Sequence, residues 1–369
     1  MKRYLKEAIR EDLRQKMVFV GGPRQVGKTT LALDIAPKRH RYLNWDVLED
    51  REFILRHKFP AEKFVIYDEI HKFKQWRNYI KGLFDTSGSE KRVLVTGSAR
   101  LDYYRHSGDS LQGRYHYYRL HPFTVGELGI ESQSDFEELL RLGGFPEPFL
   151  SGSEREARRW MREYRSRVVN EEISTLELTQ NLSAMELLLL RLPELVGSPL
   201  SINALREDLN LAHKTVSKWL DIFERMYLIY RLPPFGSNKL RAVKKEQKHY
   251  HYNWAEVPDD GARFENLVAG HLLKWVDFQQ DYEGKDIALS YFRDVDRREI
   301  DFIITENGRP VRAVECKLKQ KDISRSLGYF KARFPQTETI QVHLNGTEQF
   351  ISKEGVKSMG WKSFLSEYL

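Results

Sequence analysis

Residues 22–29 carry a phosphate-binding loop pattern, and this pattern constrains the fold of the chain more than any other feature of its sequence. The pattern is G-x-x-x-x-G-K-T, and it stands directly between the apolar run Met17 to Val20 and a helical stretch. Glycines in such a loop let backbone N–H groups close around phosphate oxygens, and the positive end of the helix adds to the attraction. The sequence therefore predicts a nucleotide-binding α/β domain of the P-loop type.

The predicted cofactors at this loop are ATP and Mg²⁺. Lys28 would supply a point charge to the phosphates, and the Thr29 hydroxyl would reach Mg²⁺. Ser98 follows a later strand-like run and would sense the γ-phosphate, with an ordinary turn serine as the alternative. The predicted nucleotide contacts are Gly22, Pro23, Arg24, Gln25, Val26, Gly27, Lys28, Thr29, Thr30 and Ser98.

Two acids close the apolar run Phe64 to Tyr67. Asp68 is predicted to hold the Mg²⁺ shell, and Glu69 is predicted to polarise the attacking water. Two carboxylates at this point indicate hydrolysis of ATP and not binding alone. A further strand-like run, residues 42–45, lies between the loop and Asp68 in the sequence, which suits the additional-strand, catalytic-glutamate class of ATPases.

The pattern of elements changes along the chain and predicts four segments. Short β-rich runs alternate with helical stretches over residues 1–134, which is typical of a parallel sheet. Helical periodicity over 135–192 predicts a helical lid or linker, and 193–248 is predicted to form a winged helix-turn-helix. Strand-like runs return in 249–369, so a further α/β domain is expected there.

Charge and cysteine content limit the partners and the compartment. A formal charge of +7 and a pI near 9.1 favour polyanionic partners such as nucleic acid. Cys316 is the single cysteine, so neither an intramolecular disulfide nor a cysteine-cluster zinc site can form. The longest apolar runs, such as Leu187 to Leu190, are far too short to span a bilayer. We therefore expect a soluble cytoplasmic protein with no membrane partner.

The segment from Ser201 to Met226 has the pattern of a helix-turn-helix. Ser201 would cap the first helix, and a buried stripe on the second would comprise Val216, Leu220, Phe223 and Tyr227. The polar residues left outward, and predicted to contact duplex DNA, are His213, Lys214, Ser217 and Lys218. Leu228 to Leu232 would begin a wing whose tip carries Lys239, Arg241, Lys244 and Lys245. The alternative for such a module is docking to a protein.

Acidic and basic residues recur on strand-like runs of the last segment. Glu315 and Lys317 share one face of their run because side chains alternate along a strand, and Asp301 lies on the preceding run. Asp301 and Glu315 are predicted to bind Mg²⁺ or Mn²⁺, with Glu265 on an earlier helix completing the shell. Lys317 would orient or acidify the attacking water. E-x-K triplets are frequent in sequences, so the pattern by itself is weak.

The motifs in chain order resemble those of one group of archaeal and bacterial AAA-type ATPases. They are Gly21 to Thr30, Asp68-Glu69-Ile70-His71, Thr96-Gly97-Ser98, Leu111-Gln112-Gly113-Arg114, His121-Pro122-Phe123 and Gly143-Gly144-Phe145-Pro146-Glu147. The resemblance implies a C-terminal domain of unknown function with a restriction-endonuclease-like fold. It also implies that Arg114 neutralises charge at the nucleotide, in cis or from a neighbouring subunit of a homo-oligomer, the alternative being a surface loop arginine.

The C-terminal residues resemble the PD-(D/E)xK nuclease superfamily, whose motif falls here on Asp301, Glu315 and Lys317, with Glu265 on the preceding helix. Ile300 stands where that superfamily often has a proline. Two functions are then compatible with the chain. The first is an ATP-dependent DNA-processing enzyme that cuts with its C-terminal site, which the intact triad favours. The second is an ATP-driven regulatory switch whose nuclease-like domain is a degenerate binding module.

Overall fold

The computed structural model describes residues 2–97, 101, 111–173, 181–236, 247–320, 322–346 and 348–368. Ser98 and the predicted wing tip lie outside these ranges. The described chain divides into two compact units. The first comprises residues 1–121 with 225–227 and 281–283, and the second comprises 122–224, 228–280 and 284–369.

The first unit is built on a five-stranded parallel sheet. Its strands are β1 (Met17–Gly21), β2 (Arg41–Asn44), β3 (Phe64–Asp68), β4 (Arg92–Thr96) and β5 (Tyr115–Arg119). Its helices include Lys6–Asp12, Lys28–Ile35, Leu48–Leu55 and Trp76–Ser87, with 3-10 turns at Ile70–Lys72 and Gly88–Glu90. β1 and β3 are buried along their whole lengths, as continuous apolar runs in a parallel sheet should be.

The strand order of this sheet is β2-β3-β4-β1-β5, and every neighbouring pair is parallel. β4 therefore separates the P-loop strand from the strand that ends in Asp68, as the additional-strand class requires. The strand-like run at 42–45, from which that class was predicted, instead forms β2 at the edge of the sheet. Thr96 pairs in register with Val20 on one side and with Asp68 on the other. The carboxyl ends of three strands consequently meet at one edge of the sheet, beside the phosphate-binding loop.

The second unit begins with helices. They are Val125–Leu128, Gln133–Leu142, Pro146–Ser151, Glu154–Arg167, Leu182–Arg191, Ile202–Asp208 and His213–Arg225, with a π-helical turn at Val168–Ile173 and a 3-10 turn at Leu192–Leu195. The predicted cap is confirmed, since the Ser201 hydroxyl accepts a hydrogen bond from the Ala204 N–H at 3.3 Å. After the helices, β6 (Ile229–Leu232) pairs antiparallel with β7 (Lys248–His251).

A six-stranded sheet with its own helices completes the second unit. The strands are β8 (Ile287–Arg293), β9 (Glu299–Glu306), β10 (Arg309–Lys319), β11 (Glu338–Asn345), β12 (Phe350–Ile351) and β13 (Lys357–Gly360). The helices are Asp260–Asp281, Arg325–Arg333 and Trp361–Leu365, with a 3-10 turn at Trp254–Glu256. The order is β12-β13-β11-β10-β9-β8, and the sheet is mixed, because β10 pairs antiparallel with β9 but parallel with β11.

Among the described residues, no helix is both long enough and apolar enough to cross a lipid bilayer.

Candidate functional site

The phosphate-binding loop lies between β1 and helix Lys28–Ile35. Its backbone takes positive φ at Gly22 (141°), Gln25 (60°) and Gly27 (98°), a conformation that favours glycine. A Cβ atom at Gly22 would lie 2.4 Å from the carbonyl oxygen of Leu120, so the loop and the end of β5 approach too closely for any side chain. The glycine at this position is therefore required by the packing as well as by the backbone angle.

Gly22→Ala is expected to destabilise the first unit more than Gly88→Ala does. Both glycines have positive φ, 141° and 52°, but a Cβ at Gly88 would meet nothing within 4 Å. Backbone strain alone costs on the order of 1–3 kcal/mol, and only Gly22→Ala adds the clash with Leu120. Urea unfolding and ATP titration of both variants measure the difference. Equal losses of stability, with ATP affinity unchanged in both, would contradict the close packing described for this loop.

Lys28 places its ammonium group within the loop. The residue is 7% exposed, and its Nζ donates hydrogen bonds to the carbonyl oxygens of Gly22 at 3.0 Å and Pro23 at 2.5 Å. Val26 is fully buried and anchors the loop, whereas Arg24 and Gln25 are half-buried and Thr30 is exposed. The loop thus combines a glycine cradle, a helix N-terminus and a fixed positive charge, which is a constellation that fits a phosphate group.

Asp68 is held by three hydroxyl groups at the edge of the sheet. Its Oδ2 accepts hydrogen bonds from Thr29 Oγ1 at 2.6 Å and from the Tyr42 hydroxyl at 2.9 Å. Its Oδ1 accepts a hydrogen bond from Thr96 Oγ1 at 2.6 Å. Burial, and then the charge of Asp68, raise the pKa of Tyr42 well above its usual range, so its hydroxyl keeps its proton. The structure brings the predicted pair Thr29 and Asp68 together, and it adds Tyr42 and Thr96, whose contacts with Asp68 were not predicted.

Glu69 follows Asp68 with a left-handed backbone, at φ 56°. Its N–H donates a hydrogen bond to the Thr96 carbonyl oxygen at 2.9 Å, which fixes the turn against β4. Its Oε2 lies 3.4 Å from Lys72 Nζ and 3.6 Å from His71 Nε2, and its side chain is partly exposed. A non-glycine residue at this φ is strained, and such strain is often found at functional sites. The geometry leaves the carboxylate accessible to water beside Asp68.

The structure contradicts a role for Arg114 at the nucleotide of its own chain. Arg114 immediately precedes β5, and its carbonyl oxygen accepts a hydrogen bond from the N–H of Met17, the first residue of β1. The phosphate-binding loop leaves the opposite end of β1, about 13 Å away at the usual rise of a strand. The guanidinium pairs with Asp85 at 2.9 Å. A role from a neighbouring subunit stays a prediction, as does the role of Ser98, which lies outside the described residues.

The predicted C-terminal residues lie in the second unit. Lys317 Nζ is 2.6 Å from Glu315 Oε1, in agreement with the alternation of side chains along β10. Asp301 Oδ2 accepts a hydrogen bond from the Cys316 N–H at 2.9 Å, so Asp301 is adjacent to this pair. Burial and the charge of Asp301 raise the pKa of Glu315. Burial opposes the charged form of Lys317, but its hydrogen bond to Glu315 and the charges of Glu315 and Asp301 together outweigh burial and raise the pKa of Lys317.

Lys248, which was not among the predicted residues, lies beside Asp301 and Glu265. Its side chain is fully buried, and its Nζ is 2.7 Å from Glu299 Oε1, 3.2 Å from Asp301 Oδ1 and 3.3 Å from Glu265 Oε1. Burial would lower the pKa of Lys248, but the surrounding carboxylates outweigh it and hold the pKa well above its usual range. Burial and the charge of Asp301 raise the pKa of Glu265 to about 7.

The predicted metal set of Glu265, Asp301 and Glu315 is not assembled. Within the ranges that the structure describes, no three His, Cys, Asp or Glu side chains are grouped so that they could hold a metal ion. The ammonium of Lys248 lies against both Asp301 and Glu265. The acidic residues and the two lysines form an ion cluster that is buried at Lys248 and partly exposed at Glu299 and Lys317. We call it the carboxylate centre, and its members are Lys248, Glu265, Glu299, Asp301, Glu315 and Lys317.

The alternation of side chains between the two faces of β7 could have indicated which residues lie beside Lys248. His249 and His251 share one face of that strand, and both are buried with lowered pKa values, to about 4 for His249. Lys248 and Tyr250 therefore share the other face. The Tyr250 hydroxyl donates a hydrogen bond to Glu265 Oε1 at 2.7 Å, so both residues of that face contact Glu265.

The helix His213–Arg225 carries three of the four residues of the predicted stripe. Val216, Leu220 and Phe223 are fully buried on it, and Trp219 of the same helix is buried too. Tyr227 is buried but lies beyond the end of the helix, with a positive φ of 56°. His213, Lys214 and Lys218 are exposed, and Ser217 is half-buried. The predicted nucleic-acid residues consequently lie on the side of this helix that faces away from its buried stripe.

Family models match almost the whole chain in three consecutive parts. Residues 14–129 match a model described as an AAA domain. Residues 133–255 match a domain of unknown function, DUF8612, and residues 260–364 match a second domain of unknown function, DUF4143. With the strand order of the first sheet, the first match identifies the N-terminal part of the chain as a P-loop domain of the AAA type.

Comparison with individual proteins finds distant relatives. An uncharacterized protein of Mycobacterium tuberculosis is 24% identical over 329 residues, which cover 85% of this chain and 73% of that protein. An uncharacterized protein of Haemophilus influenzae is 22% identical over 342 residues, 81% of this chain and 82% of the relative. Another, from Methanocaldococcus jannaschii, is 21% identical over 368 residues, 89% of this chain and 81% of the relative.

Among solved structures, two of the chains that match are similar to this chain only to a low degree. Thermotoga maritima RuvB is 17% identical, with a TM-score of 0.30 over 62% of this chain and 89% of that chain. Aeropyrum pernix ORC1, solved in complex with DNA, is 14% identical, with a TM-score of 0.33 over 73% of this chain and 93% of that chain. Both TM-scores are low, so the assignment of the N-terminal fold depends on the family model and the strand order.

Proposed function

We propose that this chain is an ATP-hydrolysing molecular switch that acts on duplex DNA. One observation carries the proposal: Asp68 binds the hydroxyls of Thr29 and Thr96 at the strand edge where Lys28 lies within the phosphate-binding loop. This combination of a loop cation, a hydroxyl and a buried carboxylate is what Mg²⁺-dependent hydrolysis of ATP requires. Release of phosphate from ATP by the purified chain, and its loss on chelation of Mg²⁺, tests the proposal.

Each residue of the site has one task in the proposed reaction. Lys28 and the backbone N–H groups that follow Gly22 hold the β- and γ-phosphates. Thr29 and Asp68 would hold Mg²⁺, which when bound neutralises charge that develops on the phosphates. Glu69 orients the attacking water and accepts its proton. Tyr42 and Thr96 keep the Asp68 carboxylate oriented through their hydrogen bonds.

Arg114 belongs to the proposal only through assembly. Arg114 lies at the amino ends of the strands, opposite the phosphate-binding loop of its own chain. It could therefore reach a nucleotide only on a neighbouring subunit of a homo-oligomer. Light scattering with and without ATP reports whether such an oligomer forms. If it forms, Arg114→Ala should slow hydrolysis without changing the stability of the subunit beyond the loss of an exposed ion pair with Asp85.

The proposed DNA contact is the outward side of helix His213–Arg225. Its exposed polar residues precede a two-stranded antiparallel pair, β6 and β7, which is the order of elements in a winged helix-turn-helix. The excess of basic residues in the whole chain supports a polyanionic partner. Lys214 and Lys218 would contact phosphates and position the helix without reading bases.

The double variant Lys214→Ala/Lys218→Ala is expected to weaken binding to duplexes of every sequence. Each lost phosphate contact reduces the slope of log affinity against log salt by about 0.9, so the slope should fall by about 1.8. Fluorescence anisotropy over a salt series measures it. Lys353→Ala/Lys362→Ala removes two exposed lysines of the same unit and serves as the control. An equal slope for the parent and both variants would indicate that this helix docks to a protein and does not contact DNA phosphates.

For the C-terminal domain, the carboxylate centre favours a binding module over a metal-dependent nuclease. Asp301, Glu315 and Lys317 occur in the order of a nuclease motif, which supports cutting. Lys248 lies against two of the three predicted metal ligands, which supports the regulatory switch. Incubation of labelled DNA with the purified chain and Mg²⁺ or Mn²⁺, with and without ATP, separates the two. Cleavage that is lost in Asp301→Asn would establish the nuclease.

A further inference from the structure

The side chain of Lys248 lies in the interior of the second unit with three carboxylates around its ammonium group. The three contacts are between 2.7 Å and 3.3 Å, to Glu299, Asp301 and Glu265. A buried ammonium is very costly unless it is paired and hydrogen-bonded. This one is paired three times, so the position of Lys248 is a built feature of the fold and not an incidental surface contact.

Asp301 has both of its carboxylate oxygens engaged, and Glu265 has one, whereas Glu315 Oε2 is buried without a hydrogen-bond partner among the described residues. Asp301 uses Oδ1 for Lys248 and Oδ2 for the Cys316 N–H. Glu265 Oε1 accepts hydrogen bonds from both Lys248 and the Tyr250 hydroxyl. Mg²⁺ takes about six oxygen ligands at roughly 2.0–2.1 Å, and Nζ of Lys248 already lies within hydrogen-bonding distance of both Asp301 Oδ1 and Glu265 Oε1. A metal ion bound between these two oxygens would lie close to the ammonium, and two cations so close together repel each other strongly.

We propose that Lys248 takes the place of a divalent cation in the carboxylate centre. This inference deepens the proposed function and rests on it, because it assigns the C-terminal domain a role without metal-dependent cleavage. The centre then carries its own positive charge and holds together without metal. Lys248 also begins β7, which pairs with β6, so the ammonium fastens this strand pair to the sheet that carries Asp301 and Glu299.

Binding of Mn²⁺ to the full-length chain without nucleotide tests the proposal directly. Free Mn²⁺ is counted by electron paramagnetic resonance for the parent, Asp301→Asn, Lys248→Met, Lys248→Arg and the double variant Lys248→Met/Asp301→Asn. The parent and Asp301→Asn should bind the same number of ions, because the centre takes none in the parent. Lys248→Met should bind one more, and the double variant should lose it again. Lys248→Arg keeps the cation and should match the parent.

Two results would overturn the proposal. The first is an Mn²⁺ ion on the parent that Asp301→Asn does not bind. The second is a folded Lys248→Met, judged by circular dichroism, that gains no Mn²⁺. If Lys248→Met fails to fold, the comparison of the parent with Asp301→Asn still decides the question. ATP hydrolysis is measured on the same parent preparation: its absence would refute the proposed switch while leaving the Mn²⁺ counts to decide the role of Lys248.

Discussion

Glu69→Gln is expected to lower the turnover number for ATP hydrolysis by about 10²–10⁴-fold, which is the usual contribution of a general base, while ATP still binds. Glutamine keeps the size of the side chain and can still accept a hydrogen bond from water, but it cannot take the proton of the attacking water. The position of Glu69 directly after Asp68, with a partly exposed carboxylate, makes it the residue for this task. Pre-steady-state and steady-state hydrolysis at saturating ATP measure the change.

Glu90→Gln is the matched control for this prediction. It makes the same substitution at an exposed glutamate of the first unit. Glu90 lies just before the first residue of β4, at the end of that strand away from the phosphate-binding loop. It should hydrolyse ATP at the parent rate. Glu69→Gln also loses an ion pair with Lys72, but that partly exposed pair contributes little to stability. Hydrolysis by Glu69→Gln at the parent rate would remove Glu69 from the proposed mechanism.

Lys28→Ala is expected to abolish measurable turnover by preventing tight ATP binding. Lys28 is a buried cation within the loop, and its charge-assisted contacts with phosphate oxygens should each contribute roughly 1.5–3 kcal/mol. Loss of one such contact raises the dissociation constant by about 10–100-fold. Titration with a fluorescent ATP analogue gives the affinity of each protein.

Lys38→Ala, at an exposed lysine beyond the helix that begins at Lys28, is the control for loss of positive charge. It should bind ATP as the parent does. Lys28→Ala and Glu69→Gln should also differ from each other, because the first loses affinity for ATP while the second loses turnover. A Lys28→Ala protein with the parent affinity would place the nucleotide elsewhere on the chain.

The residues of the candidate nucleotide site could be selected from the sequence because they belong to short local patterns. The loop, its strand and its helix are contiguous, and Asp68 and Glu69 end a strand that is apolar throughout. The strand-like runs at 17–20, 42–45 and 64–67 accordingly agree to within one residue with β1, β2 and β3. Tyr42 was missed because a tyrosine on an edge strand carries no local sign that it contacts Asp68, which lies 26 residues further along.

The carboxylate centre shows why a local pattern can identify residues and still miss their arrangement. Asp301, Glu315 and Lys317 were found from alternation along neighbouring strands. Lys248 contacts Glu265 and Asp301, which lie 17 and 53 residues away, and no periodicity links residues so far apart. Lys248 ends a basic stretch of the sequence, residues 239–248, and yet its side chain is fully buried.

The position of Arg114 illustrates a different limit. A motif gives the order of residues along the chain. It does not show whether a residue lies at the amino ends or at the carboxyl ends of the strands. Arg114 precedes β5, and parallel strands place their first residues at the edge opposite the phosphate-binding loop. An arginine that a motif associates with the nucleotide can therefore lie far from the phosphate-binding loop of its own chain.

Steady-state ATP hydrolysis with and without duplex DNA tests the central claim most directly. The parent is expected to hydrolyse ATP only with Mg²⁺ and faster when duplex DNA is present, because the switch couples the two sites. Lys28→Ala and Glu69→Gln should both be inactive in either condition. No Mg²⁺-dependent hydrolysis by the parent, or hydrolysis that persists undiminished in both variants, would contradict the account.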